Sequence, residues 1–118
     1  MLRILILEDH HQCQLLFQAV CKSIFPKAII KTFSNGDEAL IEFSNFKPDI
    51  VLLDYNVHGE KTGLDIAKSI RSCDIFTRTI CVSDHSDQIK NVPKYYDRYA
   101  GKNPMKLKRI LLEYRSIM

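Results

Sequence analysis

Four short aliphatic runs, Leu2–Leu7, Ala28–Phe33, Ile50–Leu53 and Thr79–Val82, recur along the chain with helix-length segments between them. Each has strand length, and none alternates apolar with polar residues. Strands without that alternation belong to sheets covered on both faces, as in parallel sheets built from βαβ units. The intervening segments carry helix signals. His10–Phe25 places apolar residues at 13, 16, 17, 20, 21 and 24, one helix face, and Pro26 stops it. Asn35-Gly36-Asp37-Glu38 reads as a cap and acidic first turn, opening a helix through Phe46 that Lys47-Pro48-Asp49 ends. Gly63–Ser72 predicts a third helix. Met105–Met118 predicts a last one, with Leu107, Ile110, Leu111, Tyr114 and Ile117 on one face. A fifth strand is expected around Arg98–Lys102, with Tyr99 and Ala100 nearly its only apolar content. The prediction is one α/β domain over residues 1–118, a doubly wound, five-stranded parallel sheet with helices on both faces.

The remaining features narrow the class. A chain of 118 residues suits one domain that buries a core without staples. No apolar stretch reaches the length of a membrane span, and the start MLRILILED reads as a core strand, not a secretory leader. Cys13, Cys21, Cys73 and Cys81 show no CxxC spacing, which points to a reducing, cytoplasmic setting without a zinc site. His10, His11, His58 and His85 lack ligand spacing and read as loop histidines. The basic residues Lys102, Lys106, Lys108, Arg109 and Arg115 face Glu113 alone, which reads as a solvated helix face. No direct nucleic-acid binding is expected from it.

In an open parallel sheet, ligands bind beyond the carboxyl ends of the strands. There this sequence puts Glu8-Asp9, Asp54, Ser83 and Lys102. The Asp54 run, IVLLD, delivers a carboxylate to the tip of an aliphatic strand, and a buried charge needs a partner. Close carboxylates repel one another unless a cation sits among them, and an all-oxygen set suits Mg²⁺. Metal, ammonium and hydroxyl together make a receptor for a phosphoryl group, with Asp54 as its covalent acceptor.

ILILEDHH, PDIVLLD, GLDI, ICVS and YAGK, in this order and spacing, resemble the receiver domain of two-component response regulators across essentially the whole chain. The resemblance implies the flavodoxin-like receiver fold, with strand order 2-1-3-4-5. It also implies Glu8 and Asp9 as the acidic pair around Mg²⁺, Asp54 as phosphoacceptor, and the Asn56 backbone carbonyl as a further metal ligand. Ser83 and Tyr99 stand at the family's switch positions, and Lys102 at its lysine. The implied mechanism is transfer from a phosphohistidine of a partner kinase or phosphotransfer protein. Its readout passes through the face of helix 4, strand 5 and helix 5, where a dimer or effector makes contact.

The chain departs from that pattern in several places. Val57-His58 stand where the family usually has Met-Pro, and Gly63 comes nine residues after Asp54, one more than usual. Asp84 follows Ser83 where a small residue is usual, and is expected to narrow the phosphoryl path or, alternatively, to position water for hydrolysis or to pair with His85 and point away. Asn103 separates Lys102 from its proline, and a cis Lys-Asn bond would cost about 3–4 kcal/mol, so a different local loop is expected. Ser83 and Lys102 are closer than usual with Pro93 between them, which predicts a short or irregular helix 4 of about one or two turns. Two other functions compete. A pseudo-receiver would be a protein-binding module that is never phosphorylated. An aspartyl-nucleophile phosphatase would need a second acid two residues after the nucleophile, where Asn56 stands without a proton to transfer.

Overall fold

The computed structural model describes residues 1–74, 76–84 and 86–118, and the side chains of these except 86–89. Strands and helices alternate: β1 (Arg3–Leu7), α1 (His11–Ile24), β2 (Ile29–Phe33), α2 (Gly36–Phe46), β3 (Ile50–Leu53) and α3 (Gly63–Cys73). They continue as β4 (Arg78–Cys81), α4 (Ser86–Tyr95), β5 (Arg98–Tyr99) and α5 (Pro104–Ile117). All strand pairs are parallel, and the order is β2-β1-β3-β4-β5.

The strand period of two divides each aliphatic run between two cores. Ile4, Ile6, Ile50, Leu52, Ile80 and Val82 face the α1 and α5 side, against Phe17, Cys21, Leu107, Ile110 and Leu111. Leu5, Leu7, Val51, Leu53 and Cys81 face the other side, against Ala39, Phe46, Ile66, Ala67, Ile70 and Tyr96. Both sets are buried, which is why the runs show no polar alternation.

Local chemistry sets the helix ends. Asn35 accepts the N–H groups of Asp37 and Glu38 at the start of α2, and Lys47 ends that helix in the left-handed region. Thr62 and Asp65 form a reciprocal capping box on α3. Asn103 accepts the Lys106 N–H at the start of α5, and Pro104 takes the first helical position, where its missing N–H costs nothing.

Two expectations need correction. β5 is a two-residue strand that ends at Tyr99, so Lys102 lies in the turn beyond it. α4 runs for 10 residues, about three turns, and although it is the shortest of the five helices it exceeds the one or two turns expected. Pro93 falls near its carboxyl end, where few hydrogen bonds remain to be lost. Packing of Val92, Tyr95 and Tyr96 against the second core outweighs that loss, and the Tyr96 N–H still closes the helix on the Val92 carbonyl.

Candidate functional site

The site grows from the sheet ladder running one step past the strand tips. In the β1–β3 register Leu7 faces Leu53, so the next pair is Glu8 and Asp54. Their backbones stay in the ladder: Glu8 N–H donates to the Phe33 carbonyl at 2.9 Å and Asp54 N–H to the Leu7 carbonyl at 3.0 Å. Val82 N–H donates to Leu53 at 3.0 Å, which sets Ser83 at the adjoining tip. Ladder hydrogen bonds therefore hold these side chains on one rim.

Lys102 reaches into that rim from the turn after β5. Its Nζ donates to Glu8 Oε2 at 2.7 Å and to Asp54 Oδ2 at 2.9 Å. Asp54 Oδ1 accepts the Tyr55 N–H at 2.8 Å. Glu8 is only 1% exposed and Asp54 5%. Glu8 Oε1 is buried with no hydrogen-bond partner among the described residues. Burial, followed by the adjoining Asp54 carboxylate, pushes the Glu8 carboxyl up to about 7, against the opposing pull of Lys102. Burial alone would lower the Lys102 ammonium, but its bonds and charge contacts with Asp54 and Glu8 leave it above its usual value.

The structure brings Glu8, Asp9, Asp54 and Lys102 together. Carboxylate oxygens of the three acids lie within 4.8 Å of one another, with Asp9 exposed at the mouth. Ser83 is buried at the β4 tip, and Asn56 is exposed in the loop after Asp54. Tyr99 is half-buried against the second core, with the Lys106 ammonium 5.0 Å from its ring centre. His10, His11 and His58 are exposed, while His85 lies outside the described residues.

Two features escaped the sequence reading. The loop after Asp54, with its extra residue, is fastened to the start of α2. His58 exchanges backbone hydrogen bonds with Ser34 and Gly36, and the Asp37 carboxylate accepts the N–H groups of Glu60 at 2.9 Å and Lys61 at 3.3 Å. Asp84 is the second. Its side chain is exposed, and Oδ1 accepts the Lys102 backbone N–H at 3.0 Å, so this oxygen is bound to the β5–α5 turn. The alternative pairing with His85 falls outside the described residues. The turn also differs from the family pattern, as expected, because among the described residues no peptide bond is cis.

A hard divalent cation fits the donors present. The set is all oxygen, two of its carboxylates are buried, and Glu8 keeps a buried oxygen without a partner among the described residues. The raised Glu8 value carries a consequence. Between its usual 4.5 and about 7 the folded, metal-free chain holds a proton that the unfolded chain has released. That stabilisation is complete below about pH 4.5 and is lost as pH rises through about 7. The metal-free melting temperature is therefore expected to carry this fall, and millimolar Mg²⁺ should offset it by favouring the ionised carboxylate. Asp9→Ala should abolish the Mg²⁺ effect and leave metal-free stability within about 0.5 kcal/mol, since Asp9 is exposed. A melting temperature flat across millimolar Mg²⁺ would contradict the acidic cluster as a cation site.

Residues 4–101 match the family model of the response regulator receiver domain. The chain belongs to that family. Its receiver fold is shared with solved structures of low sequence identity. The N-terminal domain of an uncharacterized protein from Wolinella succinogenes has a TM-score of 0.83 at 23% identity, over 99% of this chain and 96% of that one. A CheY-like receiver domain from Methylobacillus flagellatus has a TM-score of 0.78 at 22% identity, over 96% and 98%. NtrX from Brucella abortus gives 0.78 at 16% identity over 99% of this chain, which spans only 28% of the NtrX chain. No curated protein sequence matches. At these identities the likeness concerns the fold. Among the described residues no helix is long and apolar enough to cross a membrane.

Proposed function

We propose that this receiver domain is a cytoplasmic phosphorelay module that accepts one phosphoryl group on Asp54 from a phosphohistidine of a partner kinase or phosphotransfer protein. The observation that carries the reading is the Lys102 ammonium bonded to both Glu8 and Asp54, beside a third carboxylate at the same strand ends. An Asp54 carboxylate oxygen forms the new bond to phosphorus as the phosphorus–nitrogen bond of the donor breaks. The leaving imidazole keeps the electron pair and takes up a proton. Mg²⁺, held by Glu8, Asp9, Asp54 and the Asn56 carbonyl, would supply neutralising charge for the phosphoryl oxygens. Lys102 turns from the Asp54 oxygen to a phosphoryl oxygen, and Ser83 donates its hydroxyl to another. Movement of Ser83 leaves room for Tyr99 to turn inward. That turn re-forms the face of α4, β5 and α5 for an effector or a second copy.

Incubation with acetyl phosphate and Mg²⁺, followed by intact mass measurement, tests this. One phosphoryl group should be added, stable in acid and labile in base, and withholding Mg²⁺ should suppress it. A folded, Mg²⁺-binding chain that gains no mass would favour the pseudo-receiver.

A further inference from the structure

We infer that Asp84 is a positioning residue for Lys102: its carboxylate anchors the turn that carries the ammonium to the phosphoacceptor. This role deepens the phosphoacceptor reading of the same rim, on which its kinetic consequence rests.

Four residues, 100–103, connect β5 to α5, and each backbone N–H among them has an acceptor. Ala100 and Gly101 donate to the Cys81 carbonyl at 2.9 and 3.2 Å, and Asn103 donates to Ala100 at 3.4 Å. Lys102 N–H is taken by Asp84 Oδ1 at 3.0 Å. The β4 tip thus holds three of the four, and Asp84 supplies the side-chain acceptor. Gly101 makes room for it. At φ 61° it occupies the left-handed region, and a Cβ there would come within 2.7 Å of Asp84 Oδ1 and 3.0 Å of the Tyr99 hydroxyl. Asn103 is occupied in capping α5 through Lys106 N–H at 3.1 Å, so it does not serve the Lys102 amide.

Lys102 is therefore fixed at both ends, its backbone by Asp84 and its ammonium by Glu8 and Asp54. A carboxylate bonded to an N–H holds more strongly than a neutral acceptor. In this chain the element that presents Ser83 also aims the lysine, in a turn whose peptide bonds are all trans.

Asp84→Ala and Asp84→Asn separate anchoring from repulsion. With saturating Mg²⁺ and acetyl phosphate, Asp84→Ala should label Asp54 about tenfold more slowly, the low end of the loss expected from one hydrogen bond to a charged acceptor. Asp84→Asn should restore most of the rate, because its amide oxygen still accepts the Lys102 N–H. Amide hydrogen exchange at Lys102, read by NMR, should accelerate in Asp84→Ala and stay near wild type in Asp84→Asn. Faster labelling in both variants would overturn the anchor and establish repulsion instead. Lys102 exchange unchanged in Asp84→Ala would overturn it as well. A wild-type chain that takes no phosphoryl group would remove the phosphoacceptor reading, and Lys102 exchange would still decide for or against the anchor.

Discussion

Lys102→Met should reduce phosphorylation of this receiver domain by about 10²–10³-fold, the scale seen when a preorganised group serving transition-state charge is removed. The ammonium is bonded to the Asp54 carboxylate and to Glu8, so its loss also leaves two buried carboxylates facing each other. Breaking such a pair costs up to about 3–5 kcal/mol. The cost should be smaller at low pH, where Glu8 takes up a proton, and smaller again in Mg²⁺, whose proposed ligands remain. Denaturant unfolding with and without Mg²⁺, beside acetyl phosphate labelling, separates the two effects. Labelling within a few-fold of wild type would show that Lys102 is a structural counter-charge and takes no part in the transfer.

Gly63→Ala should lower stability by a route that leaves every charge in place. A Cβ at Gly63 would stand 2.1 Å from the backbone carbonyl oxygen of Asp54, the proposed acceptor itself. Either the start of α3 or the tip of β3 must shift, at a cost of at least about 1–3 kcal/mol. The shift would also displace Asp54, so labelling should fall together with stability. Urea unfolding checks this, and a change under about 0.5 kcal/mol would mean that the loop yields freely.

The two-core sheet follows from runs such as Ile50–Leu53, whose residues are all buried, and a run of that kind cannot be half-exposed. Asp54 and Glu8 were readable for the same reason, being the first carboxylates past buried strands. Contacts between a side chain and a backbone distant in sequence were harder to read. Asp84 meets Lys102 across 18 residues, and Asp37 meets Glu60 across 23. Such contacts depend on where whole elements come to lie, and an aspartate near a turn looks the same with or without them. The caps on α3 and α5 did carry a local signal: Thr62 three residues before Asp65, and Asn103 directly before Pro104. α4 runs longer than Pro93 alone predicts because the packing of Val92, Tyr95 and Tyr96, which no local rule contains, opposes the proline.

The central claim is that the Asp54 carboxylate forms the covalent bond to phosphorus, and reductive trapping tests it most directly. Borohydride converts an acyl phosphate to the alcohol, so a phosphorylated aspartate becomes homoserine, which peptide mass analysis locates by residue. After acetyl phosphate and Mg²⁺, homoserine is expected at position 54 and should be absent when Mg²⁺ is withheld. A chain that gains a phosphoryl group yet keeps Asp54 unreduced, with the product at Asp9 or elsewhere, would contradict the assignment.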